Sequence, residues 1–310
     1  MKRTMVLLAS IVGLLIGLSG CKKANNAPST RSPSPRTTKQ AAPPTSAGVS
    51  YKLVLASEVK WEQLNPARGD KSPQAADVWG GRKKPGATGF LVKFVDGFQS
   101  PPHIHNVSYR GVVIDGLAHN DDPQAAKMWM PAGSYWTQPK GESHITAAKG
   151  KINIAYIEIE NGPYLVMPTK KAFDSGERPV NIDPSNIVWQ SASSIRWMNS
   201  SKAPATTNEP KVAFLWGNPQ DAKPSGSYIK LPVGYKGQLR SQGLLLRAVT
   251  IQGKLGYQGD TKIASKTLEP GSYFSSTGKA IHKLSCTAGP HCLVYLRVKG
   301  KYEITPAQSK

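Results

Sequence analysis

Two histidines separated by one residue stand in the segment GFQSPPHIHNVSYRG, residues 97–111. Side chains alternate along a β-strand, so His103 and His105 would point to the same face of an extended segment. Two imidazoles on one face can bind a transition metal, although two polar residues on a solvent face would give the same pattern. A third histidine, His144, follows a Pro-Lys-Gly turn in GSYWTQPKGESH.

Short strands must position these histidines. Segments rich in β-branched and aromatic residues, such as GFLVKFV, GVVIDG, INIAYIEIE and CLVYLRVKG, are bounded by glycine, proline and asparagine. No long stretch shows apolar residues at helical spacing. Many short strands joined by such turns are typical of barrels and sandwiches. The chain is therefore predicted to be all-β.

An internal repeat divides the β-rich part into two copies. The aligned segments, at offsets of 137 or 138 positions, are Trp79-Gly80 with Trp216-Gly217, 103–116 with 240–253, and 132–144 with 270–282. Self-similarity at a fixed offset indicates a repeated structural unit. We expect one barrel over residues 50–180 and a second over residues 181–310.

The spacing of the motif residues resembles the cupin superfamily. Residues 97–116 follow G-x5-H-x-H-x3-Y-x6-G and residues 133–144 follow G-x5-P-x-G-x2-H. These patterns match the family's two motifs except at the usual glutamate and at an asparagine after the last histidine. The resemblance implies two tandem cupin-type antiparallel β-barrels, also called jelly rolls or double-stranded β-helices. It further implies that the three histidines ligate one divalent transition metal, and imidazole suits Fe, Mn, Co, Ni, Cu and Zn alike.

Tyr109 occupies the position of the usual glutamate. It could be a weak fourth ligand, a partner of a metal-bound water, or a residue that fills the barrel. Gln138 and Glu142 occur only in the first copy, which makes them additional candidate catalytic residues. His119, in GLAHNDDP, is interpreted as a solvated histidine of a turn between the motifs, with an acid/base group that reaches the site as the alternative.

The second copy has lost the ligand pattern. Arg240 and Gln242 stand at the positions of the HxH pair, and only His282 keeps its motif position. A permanently charged arginine repels a metal cation, so the second barrel is predicted to bind no transition metal and His282 to be a core residue. Arg247 matches Arg110 of the first copy, so this arginine is predicted to be architectural.

The N-terminal segment predicts export and a lipid anchor. A basic start, an apolar run from Met5 to Leu18 and small residues before Cys21 are typical of a secretory signal over residues 1–20. The Leu-Ser-Gly-Cys ending resembles a bacterial lipobox, which implies lipidation of Cys21. Residues 21–49, rich in Pro, Ser and Thr, are predicted to be a disordered tether. We expect the protein on the cell envelope, attached to the membrane by its lipid, at the outer membrane or its periplasmic face.

The net charge of the chain indicates which classes of partner it can bind. The formal net charge is +21, and residues 50–310 carry 33 Lys and Arg against 19 acidic residues. In an exported chain this excess favours anionic small molecules or envelope surfaces over nucleic acid, since no basic run is interleaved with stacking aromatics.

Cys286 and Cys292 flank a Gly-Pro turn and are predicted to form a disulfide, with two apolar filler residues as the alternative. The sequence leaves open whether the protein forms a homodimer.

Two functions are consistent with these features. The first is a metal-dependent enzyme, specifically a three-His oxygenase, which acts on a small anionic or enolisable carbonyl compound. The second is a non-catalytic module that binds or senses an anionic ligand on the cell envelope. One fold can host both. The sequence contains no G-x-S-x-G nucleophile motif and no phosphate-cradling glycine loop.

Overall fold

The computed structural model describes residues 48–198, 209–259 and 264–307. The predicted signal peptide, Cys21 and all of the tether before residue 48 lie outside these residues. Within the described ranges, no helix has both the length and the apolar character needed to cross a membrane.

Antiparallel β-sheet dominates the described residues, which confirms the all-β prediction. The strands are β1 (Tyr51–Val54), β2 (Glu62–Gln63), β3 (Gln74–Trp79), β4 (Gly86–Phe94), β5 (His103–His105), β6 (Tyr109–Asp121), β7 (Tyr135–Gln138), β8 (Ile145–Gly162), β9 (Val166–Pro168), β10 (Val180–Ile182), β11 (Gln190–Ser191), β12 (Lys211–Trp216), β13 (Pro224–Pro232), β14 (Lys236–Ser241), β15 (Leu245–Gln258), β16 (Lys266–Leu268), β17 (Tyr273–Thr277), β18 (Ile281–Lys299) and β19 (Tyr302–Pro306). Short 3-10 helices cover Ala56–Glu58, Pro66–Lys71, Thr169–Lys171, Pro184–Asn186 and Ala192–Ser194.

Two large sheets correspond to the two sequence copies. The first has the order β10-β7-β6-β8-β4-β3-β2. The second has the order β1-β17-β15-β18-β13-β12-β11, with β14, β16 and β19 attached to it. Strand β1 pairs with β17, so the start of the first copy joins the sheet of the second. The domain boundary between residues 180 and 181 stays a prediction.

The longest strands of each copy bend at a motif glycine. The pairing of β6 with β8 shifts register around Asp115, and that of β15 with β18 shifts around Gln252. Gly116 and its copy Gly253 have φ values of 76° and 79°, a conformation that residues with a side chain rarely adopt. Bulges of this kind bend a strand, which lets it contribute to both walls of a barrel.

Each barrel encloses its own apolar core, and a third core joins the two. The first barrel surrounds Phe90, Val113, Met130, Trp136 and Ile157, among others. The second surrounds a larger set that includes Leu239, Leu246, Leu255, Phe274 and Leu296. The third core takes Trp79, Leu91 and Tyr156 from the first copy and Tyr228, Ile251 and Tyr295 from the second. The barrels therefore bury their outer faces against each other.

A fully buried carboxylate lies at this shared core. Glu158 of β8 accepts a hydrogen bond of 2.8 Å from the Tyr295 hydroxyl, and Arg297 Nη1 lies 3.3 Å from its Oε1. Arg297 also binds Glu160 at 2.6 Å. Burial by itself would raise the pKa of Glu160, but Arg297 and Arg110 outweigh it and hold this pKa at about 2. Glu160 is thus ionised at neutral pH, and the cluster joins the two copies.

Arg110 has the architectural role that its repetition predicts. Its Nη1 binds Glu160 Oε1 at 2.8 Å, and its guanidinium carbon lies 3.7 Å from the ring centroid of Trp216. In the other copy, Arg247 lies 3.8 Å from the ring centroid of Trp79. Each arginine therefore packs on the tryptophan of the opposite copy, an attraction between a cation and the ring face.

Replacement of Arg297 tests how far stability depends on this cluster. The Arg297→Ala variant leaves the buried charge of Glu158 without its closest cation, so we expect the free energy of unfolding to fall by about 3–5 kcal/mol. Urea denaturation followed by tryptophan fluorescence measures this loss. Lys254→Ala, which removes an exposed ion pair of 3.1 Å to Glu269, is the control and should cost less than about 1 kcal/mol. Equal losses in the two variants would contradict the assignment.

Candidate metal centre

Local strand pairing brings the three motif histidines together. Strand β5 carries His103 and His105, and backbone hydrogen bonds of 3.0 Å in both directions join His103 to His144. The turn before β8 therefore places His144 directly opposite the HxH pair. One ring nitrogen from each of the three side chains lies within 4.8 Å of the other two.

Backbone carbonyls fix the orientation of all three imidazoles. The Nδ1 atoms lie 2.9 Å from the Pro101 oxygen for His103, 2.9 Å from the Leu165 oxygen for His105 and 3.1 Å from the Glu142 oxygen for His144. A carbonyl oxygen can only accept, so each Nδ1 carries the proton and each Nε2 keeps a lone pair that can bind a metal or accept a hydrogen bond. This arrangement is common among metal-binding histidines, in which a hydrogen bond at the outer nitrogen sets the tautomer.

The electrostatics of the site suit a cation with neutral ligands. His105 and His144 are fully buried and His103 is half-buried. Burial lowers the pKa of all three, to about 3 for His144, and repulsion between the protonated rings lowers the pKa of His105 and His144 further. The buried Nε2 of His144 has no hydrogen-bond partner in the described part of the chain. A divalent metal fits this donor set and would retain open coordination positions.

A cavity of about 390 Å³ adjoins His103 and His105. Its wall is mostly aromatic and aliphatic, and includes Phe90, Phe94, Phe98, Tyr109, Trp136 and Ile157. None of the described lining residues carries a carboxylate. The exposed Arg68 marks the mouth, where its guanidinium carbon lies 5.1 Å from the ring centroid of Phe98. The cavity therefore combines an apolar body with positive charge at its entrance.

A hydrogen-bonded chain beneath the cavity contains two of the predicted site residues. The Tyr109 hydroxyl donates to Asn120 Oδ1 at 2.7 Å, and Asn120 Nδ2 donates to Gln138 Oε1 at 2.8 Å. Gln138 Nε2 lies 3.4 Å from the Glu142 carbonyl, the same carbonyl that orients His144. Of the roles left open for Tyr109, this geometry fits packing best, because its hydroxyl proton is committed to Asn120.

Glu142 contributes its backbone rather than its carboxylate to the centre. Its side chain does not line the cavity and lies in a separate surface depression with Phe173 and Arg178. Burial raises the pKa of this carboxyl. The carbonyl of Glu142 receives the Nδ1 proton of His144, so the residue acts through its main chain.

The interpretation of His119 as a solvated turn residue is wrong. Strand β6 extends through this position, where His119 pairs with Ala147 of β8, and the side chain is only 1% exposed. Its Nδ1 lies 3.3 Å from the Met128 carbonyl, and its ring packs beside Trp129. Burial lowers its pKa. His119 does not line the cavity.

Sequence reasoning missed Tyr164, Asn120 and Arg68. The Tyr164 ring stacks on His105 with centroids 4.3 Å apart, and its hydroxyl oxygen lies 3.0 Å from His105 Nε2. Burial raises the pKa of Tyr164 well above its ordinary value, so the phenol is protonated. No motif marks Tyr164 or Arg68, whereas Asn120 could have been found from its alternation with the cavity residue Ala118 on β6.

Larger residues fill the second barrel at the positions that keep the first one open. Ala118, Asn120 and Thr146 correspond to Leu255, Tyr257 and Leu284, all of which are buried. The registers agree, since Asn120 lies opposite Thr146 and Tyr257 lies opposite Leu284. Both nitrogens of His282 have protein partners, with Tyr257 at 3.2 Å and Ser276 at 2.9 Å. His282 is therefore a satisfied core histidine, as predicted.

Solved structures place the chain in the cupin fold. Similar chains are a candidate dioxygenase from Nostoc punctiforme (12% identity, 84% of this chain and 87% of that chain covered, TM-score 0.57) and an oxalate decarboxylase from Lactobacillus farciminis (10%, 84% and 89%, 0.52). Vicilin from hazelnut, Corylus avellana, is also similar (11%, 82% and 87%, 0.51). At these identities the likeness establishes the fold alone.

The fold is thus that of the cupins, and its three-histidine cluster is an arrangement that could hold a metal ion. Residues 52–305 match the model of a family described as a domain of unknown function, DUF4437, and the chain belongs to that family. No curated protein matches the chain.

Replacement of the HxH pair tests the metal centre. We expect the protein purified without chelators to contain about one equivalent of a divalent transition metal and the His103→Ala/His105→Ala variant to contain none. Elemental analysis by mass spectrometry measures both. His291→Ala, which removes a histidine of the second copy, is the control and should keep the metal. A metal content that stays the same in the double variant would contradict the assignment.

Proposed function

We propose that this protein is a metal-dependent enzyme of the cupin fold, specifically a three-His oxygenase that acts on a small anionic or enolisable carbonyl compound. One observation carries the proposal. The Nδ1 of each motif histidine is held by a backbone carbonyl, so the three Nε2 atoms are left unprotonated in one cluster, and His103 and His105 of that cluster line a cavity of about 390 Å³. A volume of this size can admit a small organic molecule.

The donor set favours an anionic ligand. A divalent metal held by three imidazoles would act as a Lewis acid towards a carbonyl or enolate oxygen. The three ligands are neutral, and Tyr109 replaces the usual glutamate, so no carboxylate from the motif reduces the positive charge of the centre. Arg68 adds positive charge at the cavity mouth, which attracts an anion as it approaches.

The cavity wall would orient a bound substrate and exclude water from it. Phe90, Trp136 and Ile157 are buried apolar side chains around the space beside the histidines. An apolar wall strengthens electrostatic interactions inside it, because water no longer screens them. No described lining residue is a carboxylate base, so the preferred substrate is one that enters as an anion or loses its proton to solvent.

The lack of a carboxylate base on the described wall also favours a second candidate function. A non-catalytic module would use the same centre to capture or sense an anionic ligand on the cell envelope. It would need neither a general base nor a redox-active metal. Fold does not separate the two functions, since cupins host both.

Oxygen consumption distinguishes these functions. We expect the Fe- or Mn-loaded protein to consume oxygen with at least one member of a panel of β-diketones, α-keto acids and hydroxylated aromatic acids. The His103→Ala/His105→Ala variant should consume none, and an oxygen electrode measures both. Binding of panel members by calorimetry without any oxygen consumption would instead support the binding module.

We also propose that the protein is exported and anchored to the membrane by lipid. The basic start, apolar run and Leu-Ser-Gly-Cys ending of the N-terminal segment support this. The disulfide between Cys286 and Cys292, whose Cα atoms are 5.6 Å apart, also supports it, because such bonds persist mainly in oxidising compartments.

Replacement of Cys21 tests the anchor. In a bacterial host, Cys21→Ser should move the protein from the membrane fraction to the soluble fraction and abolish incorporation of labelled palmitate, because lipidation requires the thiol. Fractionation with immunoblotting and autoradiography measure the two effects. Asn26→Ala, a change in the tether, is the control and should leave both unchanged. Membrane attachment that survives in Cys21→Ser would contradict the anchor.

A further inference from the structure

The segment that follows β8 is held firmly over the HxH strand. The side chain of Asn106 clamps it, because Nδ2 donates to the Pro163 carbonyl at 2.9 Å and Oδ1 accepts from the Leu165 amide at 2.9 Å. Strand β9 then pairs with β5. The Leu165 carbonyl also fixes Nδ1 of His105. Tyr164 lies between these anchored residues, so its side chain is placed in the cavity by a rigid backbone.

The Tyr164 hydroxyl lies beside His105 Nε2, the nitrogen that would bind a metal. The two rings are stacked, with centroids 4.3 Å apart and 21° between their planes. The hydroxyl oxygen lies 3.0 Å from Nε2 and donates to it, because Nδ1 of His105 carries the ring proton. A metal bound at Nε2 would take this lone pair and release the hydroxyl proton from it. The hydroxyl thus stands next to the site where His105 would bind a metal.

The proton of this hydroxyl is available for a ligand. Within the described residues, the hydrogen-bond partner of this hydroxyl is His105 Nε2, whose lone pair a metal would take up. The hydroxyl of Tyr109 differs, because it donates to Asn120 at 2.7 Å. Tyr164 is therefore the phenol in the cavity that can turn its proton towards a molecule at the open coordination position.

We propose that Tyr164 is the specificity-determining residue of this centre: its neutral hydroxyl donates a hydrogen bond to an oxyanion bound at the open position. The inference rests on the proposed metal centre and adds the chemical class of its ligand. Where the motif glutamate would repel an anion, this chain offers a donor. Carboxylates and enolates can accept the bond, whereas neutral nitrogen ligands with no free acceptor cannot.

Ligand binding to the cobalt-loaded full chain tests this role. The visible spectrum of Co(II) reports occupancy of the open position, and acetate and imidazole are the two probes. We expect Tyr164→Phe to bind acetate more than about tenfold more weakly, because a hydrogen bond to a charged group is lost. Imidazole binds through one nitrogen and presents only an N–H donor at the other, so its affinity should not change. Tyr302→Phe, at a buried tyrosine of the second barrel, is the control and should match the parent with both probes.

The outcomes separate this inference from the proposed function. Selective weakening of acetate in Tyr164→Phe supports the role of the hydroxyl. Equal weakening of acetate and imidazole would show that Tyr164 only packs, and unchanged affinities would show that it does not contact the ligand; either result overturns the inference while the metal centre stands. If the parent chain binds no cobalt, the proposed metal centre fails and this inference fails with it.

Discussion

One buried carboxylate, that of Glu158, constrains how the two barrels can be joined. Removal of a charge from water is unfavourable unless an opposite charge and hydrogen-bond donors meet it. The closest cation, Arg297 at 3.3 Å, and the closest donor, the Tyr295 hydroxyl at 2.8 Å, come from the other copy, while the Tyr156 hydroxyl at 3.2 Å comes from the same copy. Glu158 and Arg297 occupy equivalent positions of the repeat, opposite Gly89 and Gly226 in their respective sheets. The copies have diverged to opposite charges there, which favours the pairing of unlike halves.

The ion cluster around Glu158 also joins strands β6 and β8, which lead to the residues of the candidate metal centre. Arg110 directly follows Tyr109 on β6, and Glu158 lies on β8, which begins one residue after His144 and leads into the segment that carries Tyr164. These strands run from the shared core to the cavity. Backbone carbonyls orient the three imidazoles, so the geometry of the centre depends on how rigidly the barrel holds its main chain. Stability and site geometry therefore have a common source in this molecule.

The first copy keeps a cavity beside its histidines, whereas packed side chains fill the second copy. In the first, small or polar residues at Ala118 and Asn120 leave a cavity beside the histidines. In the second, the equivalent Leu255 and Tyr257 fill the space, and the Tyr257 hydroxyl satisfies His282. A filled barrel gains apolar burial, whereas an open one gives up some of it to admit a ligand. The pairing of β1 with β17 ties the start of the first copy to this better packed partner.

The sequence by itself determined the β-structure, the repeat and the three candidate ligands. Those features depend on alternation and spacing within short segments, and the two motif segments place their own histidines. It could not reveal that His119 is buried, because the Asn and Asp residues around it are typical of turns and only the pairing of β6 with β8 overrides them. Nor could it reveal Tyr164, which lies 59 residues after His105. Only the pairing of β9 with β5 brings them together, and such non-local pairing is set by the packing of the whole barrel rather than by any local pattern.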